Sequence, residues 1–290
     1  MRNFDEDNIT RAVLERLQNT ASPRTRQISE AVVRHLHALI LEVAPSQQEW
    51  MAAIDFLTAT GQMCSATRQE FILLSDVLGA SMLVDAINHR QPGDATQTTV
   101  LGPFYVQNPT LHALGDMISQ DAVGAPLRVE GSVRSVDGAA IAGAVIDVWH
   151  ADDDGYYDVQ RQDGLQHLND RARLVSDSAG NFWFRSIVPA CYPIPDDGPV
   201  GKMLEAQGRH PYRPAHVHFM ISAPGCDTLV THLFLADDPY LDSDVVFGVK
   251  DALICRLETQ IAGTTARGNI IATPMQALRY DFVLAPRQST

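Results

Sequence analysis

The chain has 290 residues, 45% hydrophobic and 20% charged, an ordinary globular composition with enough length to bury a sizeable core. Its formal net charge is −13 with a pI near 5.1, and no Lys/Arg run occurs, so a nucleic-acid binder with a basic surface is excluded. No apolar run reaches the ~18 residues of a membrane-spanning helix, and the polar start Met1-Arg2-Asn3-Phe4-Asp5-Glu6-Asp7 lacks the apolar core of a signal peptide.

The pattern before residue 95 is helical. Ile9, Val13, Leu14 and Leu17 recur at helical spacing. Pro23 suits a first helical turn and opens a longer segment through Ile28, Val32, Leu36, Ile40 and Val43, which Pro45 ends. Ser46 is a candidate N-cap for a helix through Trp50, Ile54 and Leu57 to Gly61. Two more helices fit Glu70 to Leu78 and Ala80 to Asn88, before Gln91-Pro92-Gly93-Asp94 breaks the pattern. A boundary near residue 95 therefore divides a helical region, 1–95, from a second domain, 96–290.

Beyond residue 120 the pattern is β. Strands are predicted at Leu127–Val133, Val145–Trp149, Phe182–Phe184, His216–Ile221, Leu229–Leu235 and Tyr280–Leu284, with Gly/Asp/Asn turns between several of them. The expected fold is mainly β, an antiparallel sandwich or barrel carrying a helical N-terminal region. One helix, Val245 to Ala262, is predicted to interrupt the strands. Cys64, Cys191, Cys226 and Cys255 are widely spaced with no Cys-x-x-Cys, which points to free thiols in a reducing cytoplasm.

Three segments carry possible chemistry. Strand alternation puts His216 and His218 on one face and Val217 on the other, so the pair is half of a metal site, or one core histidine and one exposed. Asp147 to Asp158 is a strand running into an acidic glycine-containing loop with Tyr156 and Tyr157; its spacing departs from an EF-hand. Pro189-Ala190-Cys191-Tyr192-Pro193-Ile194-Pro195 is rigid and extended, either a ligand-holding loop or a plain connector.

Together these segments resemble the intradiol ring-cleaving dioxygenases of aromatic degradation, in order and approximate spacing, over nearly the whole chain. Tyr157, two residues past Gly155, matches that family's first tyrosine ligand, with Tyr156 the weaker candidate. Tyr192 in Cys-Tyr-Pro-Ile-Pro matches the second, and His216 and His218 in Arg-Pro-Ala-His-Val-His-Phe match the histidine pair. The resemblance implies Fe(III), a hard cation able to ionise two tyrosines in contact with it. It also implies that the metal activates an aromatic diol rather than O2. Tyr192 would take a substrate proton on leaving the metal, and Arg213 would stabilise negative charge on the ring. His232 stands where many relatives carry glutamine and would tune the pocket's polarity; His150 reads as structural.

Within the resemblance, Val100-Leu101-Gly102-Pro103-Phe104 looks like the pocket wall of the branch acting on hydroxyquinol (1,2,4-trihydroxybenzene). Leu73 and Asp76 would stand at the pocket mouth, Asp76 accepting a hydrogen bond from the third hydroxyl. Ile194 and Pro195 would pack on the ring and Val246 on its far side. The implied reaction is intradiol cleavage with O2 to 3-hydroxy-cis,cis-muconate/maleylacetate. Catechol is the alternative substrate, and a non-catalytic β-sandwich binding module the alternative of another class. The resemblance further implies a homodimer through the N-terminal helices, where a phospholipid can lie.

Overall fold

A computed structural model of the chain describes residues 2–65, 68–120, 123–161, 168–261, 263–264, 270–271 and 274–287. It divides into two compact units, Met1–Gln62 and Met63–Thr290. In the first, α1 (Ile9–Arg16), α2 (Pro23–Val43) and α3 (Gln47–Met63) follow in order, α3 running to the boundary. The Ser22 hydroxyl accepts the Thr25 N–H at 3.2 Å and Pro23 fills the first turn of α2. Ser46 and Glu49 form a reciprocal capping box at α3: the Glu49 N–H reaches Ser46 Oγ at 3.2 Å and the Ser46 N–H reaches Glu49 Oε2 at 2.8 Å. Among the described residues no helix is long and apolar enough to cross a membrane.

The second unit begins with α4 (Glu70–Val77) and α5 (Ala80–Asn88), then turns to strands. These are β1 (Pro126–Ser135), β2 (Val145–His150), β3 (Arg171–Val175), β4 (Asn181–Ile187) and β5 (Tyr192–Pro193), followed by α6 (Pro199–Ala206). Then come β6 (Tyr212–Arg213), β7 (His216–Ser222), β8 (Leu229–Leu235), β9 (Ile254–Cys255), β10 (Glu258–Gln260), β11 (Gly263–Thr264), β12 (Ile270–Ile271) and β13 (Met275–Leu284). One sheet runs β10-β13-β1-β4 and the other β3-β2-β7-β8-β9. Their facing side chains interleave in one core: Phe219 of β7 lies 6.1 Å from Phe182 of β4 and 4.8 Å from Phe282 of β13, centroid to centroid. His150 ties the two sheets, its Nε2 lying 2.6 Å from Ser186 Oγ and its Nδ1 2.7 Å from the Ala151 carbonyl, the structural role expected of it.

The sandwich is mixed rather than purely antiparallel, because β1 pairs β13 and β8 pairs β9 in parallel. The helix expected from Val245 to Ala262 does not form; Ala262 itself lies outside the described residues. The Asp244 carboxylate accepts the N–H groups of Val246 (3.3 Å) and Gly248 (2.9 Å), and Phe247 takes φ +59°, so the backbone turns instead of winding. A single 3₁₀ turn, Asp251–Leu253, then leads into β9 and β10. The apolar spacing Val245, Val249, Leu253 imitates a helix but serves two separate cores. Strand β3 and helix α6 had no counterpart in the sequence reading. The start of α6 is held from a distance, where buried Glu70 accepts the Val200 N–H at 3.2 Å.

A candidate metal centre on the outer face of the five-stranded sheet

Strand β7 sends Val217, Phe219 and Ile221 into the inter-sheet core and turns His216 and His218 to the opposite face. There the ladder places His232 of β8 opposite His218 and Phe234 opposite His216. From β2, Trp149 stacks on His218 at 4.6 Å and 13°.

Two tyrosines reach this face from loops. After β2, Asp152 Oδ1 accepts the N–H groups of Asp154 (3.0 Å) and Tyr156 (2.9 Å), curling the acidic segment back. Gly155 sits at φ +85°, and a Cβ there would lie 2.9 Å from the Cys191 carbonyl oxygen and 3.0 Å from Tyr192 Cβ. Only glycine lets the Tyr157 loop approach the Tyr192 segment this closely. Tyr157 is fully buried, whereas Tyr156 is 52% exposed and lies under the Arg161 guanidinium. The Tyr157 turn is anchored by a buried pair, Arg171 to Asp158, and Arg171 Nη1 also donates to the Phe104 carbonyl at 3.0 Å. Phe104 in turn stacks on Tyr157 at 4.5 Å. Tyr192 lies in β5, whose partner in β6 is Arg213, so the two side chains enter the site together.

Four ligand-type atoms converge. Tyr157 Oη lies 2.9 Å from His218 Nε2, 3.5 Å from His216 Nε2 and 3.5 Å from Tyr192 Oη, and the two Nε2 atoms are 3.0 Å apart. His216 Nδ1 donates to the Pro214 carbonyl at 2.7 Å, which leaves the lone pair on Nε2, the atom that faces both the centre and Arg213 Nη1 at 3.3 Å. Burial, with Arg213 adding to it, pushes His216 down to about 3. Burial and the neighbouring histidines hold His218 well below its usual range; burial, then His216 and Arg213, do the same for His232. All three rings are neutral at ordinary pH. Burial and then Tyr192 push the Tyr157 phenol well above 10. Neutral imidazoles with lone pairs converging beside the raised Tyr157 phenol and the Tyr192 hydroxyl fit a hard, highly charged metal ion. His218 Nδ1, buried with no hydrogen-bond partner among the described residues, leaves that ring held by stacking and by whatever its Nε2 meets.

His232 approaches the same cluster. Arg213 Nη2 donates to its Nδ1 at 3.4 Å, which turns that lone pair to the guanidinium rather than to a metal. Of the expected pocket residues, Leu73, Ile194 and Val246 gather in one apolar cluster with Val77, Val200 and Leu204. Asp76 is raised by burial and lies in the fields of Arg213 and Asp244. Gly102 lies so close to His218 that a Cβ would sit 3.1 Å from its Cε1, and the Val100 backbone bears electrostatically on the His232 ring. Leu101 and Pro103 are exposed and Pro195 half-buried, with no contact that brings them to the four atoms. A cavity of about 490 Å³ opens beside the site, lined by Arg209, His210, Ser243, Asp244, Val245 and Phe247. The sequence reading missed Trp149, Arg171, Asp158 and Asp244. Only the adjacency of Asp158 to Tyr157 offered a signal.

Residues 22–96 match the family model for the catechol dioxygenase N terminus, and residues 100–286 match that for the dioxygenase domain. The chain is 51% identical over 286 residues to a 6-chlorohydroxyquinol 1,2-dioxygenase of Cupriavidus pinatubonensis, covering 99% of each. It is 50% identical to a hydroxyquinol 1,2-dioxygenase of a Rhizobium species, covering 97% of this chain and 96% of that one. Among solved structures, hydroxyquinol 1,2-dioxygenase from Pseudomonas putida superposes with a TM-score of 0.93 at 48% identity, covering 97% of this chain and 99% of that one. Catechol 1,2-dioxygenase from Pseudomonas arvilla gives 0.79 at 31%, with 97% and 91% covered. A non-catalytic binding module is thereby set aside: the chain belongs to the intradiol ring-cleaving dioxygenases.

Proposed function

We propose that this enzyme cleaves hydroxyquinol between its adjacent hydroxylated carbons with O2, giving 3-hydroxy-cis,cis-muconate/maleylacetate, at a non-haem Fe(III) held by Tyr157, Tyr192, His216 and His218. The observation that carries the reading is the convergence of the other three ligand atoms within 3.5 Å of Tyr157 Oη. Ferric iron, when bound, supplies a chelation point for both diol oxygens and draws electron density from the ring so that O2 can attack a ring carbon. The protein does the rest. Tyr192 Oη receives one hydroxyl proton of the diol. Arg213, cationic and buried, offers Nη1 toward the negative charge that develops on the ring. His232 holds the opposite end of that guanidinium. Phe104, backed by Tyr157, Gly102 against His218, and the Leu73–Ile194–Val246 cluster form the walls. Asp76, whose buried carboxyl lies in the field of Arg213, accepts the third hydroxyl.

The names of the relatives favour hydroxyquinol over catechol, and the 6-chlorohydroxyquinol enzyme raises a second reading, tolerance of a ring chlorine. The test is kcat/KM for hydroxyquinol, 6-chlorohydroxyquinol and catechol on iron-loaded protein. A preference for catechol would overturn the substrate; no cleavage of any of the three would overturn the activity. We extend the reading to a homodimer through the N-terminal helices, able to hold a phospholipid. It is supported by Ile28, Val32, Leu36 and Leu39 of α2 and Trp50 and Leu57 of α3, apolar and exposed. Sedimentation would read a monomer if it is wrong.

A further inference from the structure

We propose that Asp244 is a positioning residue for ring cleavage: it clamps Arg213 so that Nη1 alone faces the tyrosine–histidine centre. The proposal rests on the function given above. Arg213 and Asp244 are both buried. Their contact is a fork, Nε to Oδ1 at 3.1 Å and Nη2 to Oδ2 at 3.3 Å. His232 Nδ1 takes Nη2 from the other side at 3.4 Å. Three of the five N–H donors are thus engaged, and Nη1 is left pointing at His216 Nε2, 3.3 Å off.

The clamp is itself fixed. The Asp244 carboxylate accepts the Val246 N–H on Oδ1 and the Gly248 N–H on Oδ2. The Val245 N–H donates to the Tyr212 carbonyl at 3.2 Å, joining the turn to the strand that carries Arg213. Burial alone would raise the Asp244 carboxyl, but Arg213 and those N–H groups hold it below the usual carboxylate range. The same turn carries Val246 into the apolar cluster with Leu73 and Ile194. One five-residue turn, 244–248, therefore sets both the arginine and a wall of the substrate pocket.

The competing partner for Arg213 is Asp76. Its carboxyl feels the Arg213 charge, yet no hydrogen bond joins them. If the Asp244 clamp is weakened, the guanidinium has a second carboxylate to turn to. That turn would withdraw the cation from the ring and occupy the acceptor assigned to the third hydroxyl. Asp244→Asn keeps the shape and the backbone acceptor on one side while removing the charge.

The expected result on iron-loaded protein is a fall of about tenfold to hundredfold in kcat with little change in KM for catechol, because the lost contact acts on charge present only in the transition state. Hydroxyquinol should lose more than catechol. Iron content and the visible band should stay near wild type, while the melting temperature falls because the buried Arg213 charge loses its partner. In an Arg213→Gln background, Asp244→Asn should lower kcat by less than about twofold, since the residue it acts through is gone. A full, additive loss in that background, or a loss confined to stability, overturns the proposal. Asp244→Glu, which keeps the charge, should recover part of kcat; a Glu variant as impaired as Asn while equally stable also overturns it. Wild type in the same assays separates the two failures: an inactive wild type sinks the ring-cleavage reading, whereas an active wild type with additive variants sinks the clamp alone.

Discussion

The two faces of the five-stranded sheet use the same strands for opposite ends. Inward, Val217, Phe219 and Ile221 of β7 meet the phenylalanines of the other sheet in a fully apolar core. Outward, the alternate residues His216 and His218 are buried just as deeply, but among rings and polar atoms whose hydrogen bonds are incomplete. The inner face lowers the free energy of the fold by removing apolar area from water. The outer face holds neutral imidazoles and the raised Tyr157 phenol where water cannot solvate their charged forms, and so works against stability until a cation arrives. Burial is common to both faces; only the inner one is stabilising by itself.

The largest effect that tests this contrast lies on the outer face. Tyr157→Phe and Tyr192→Phe should each reduce ring cleavage to background and bleach or shift the visible phenolate-to-iron band of the loaded protein, while leaving the metal-free melting temperature nearly unchanged. Either variant with the wild-type spectrum would reject that tyrosine as a ligand. On the inner face, Phe219→Ala should cost about 3–5 kcal/mol through lost burial and a cavity against Phe182 and Phe282. Denaturant unfolding measures it, and a cost below about 1 kcal/mol would mean that this face is not the stabilising one.

Acid should act on the outer face through its histidines. In the folded, metal-free chain His216 is pushed down to about 3 and His218 and His232 well below 6.5, chiefly by burial. The unfolded chain takes up those protons below about 6.5 and the folded chain does not. Stability is therefore intact above that pH and falls as pH drops through 6 toward 3, by about 1.4 kcal/mol per unit for each histidine. Urea midpoints of metal-free protein at pH 7, 6 and 5 read the slope. Phe219→Ala should lower every midpoint equally, and His232→Gln should flatten the slope; an unchanged slope in the latter would remove His232 from the account.

The difference between the faces also explains what the sequence made legible. Alternation along β7 separated His216 and His218 from Val217 without any structure, and tyrosines in matching contexts pointed to the same site. The helices through Asn88 were readable because caps such as Ser22 and Ser46 act within three residues. Asp244 was not readable: its partner lies 31 positions away, and the pairing depends on how the 244–248 turn meets β6. The same carboxylate broke the expected 245–262 helix by capturing two N–H groups, so one unseen side chain accounts for both errors. Trp149 was hidden for a similar reason, since its stack on His218 follows from the register between β2 and β7.

A change in stability smaller than that of Phe219→Ala tests whether the outer face is limited by geometry. Gly102 stands at φ +76° against the His218 ring, and an alanine Cβ would come within 3.1 Å of Cε1. Left-handed backbone costs a side-chain-bearing residue about 1–2 kcal/mol, and the ring has Trp149 stacked on its plane at 4.6 Å. The neighbour must yield by a few tenths of an ångström, and His218 is the neighbour. Gly102→Ala should therefore lose only about 1–2 kcal/mol in unfolding, yet lower kcat and shift the visible band out of proportion to that cost. An activity loss no greater than that of an equally destabilised inner-face variant, Ile221→Val for example, would mean that His218 has room to move and that the precision assigned to this face is not needed.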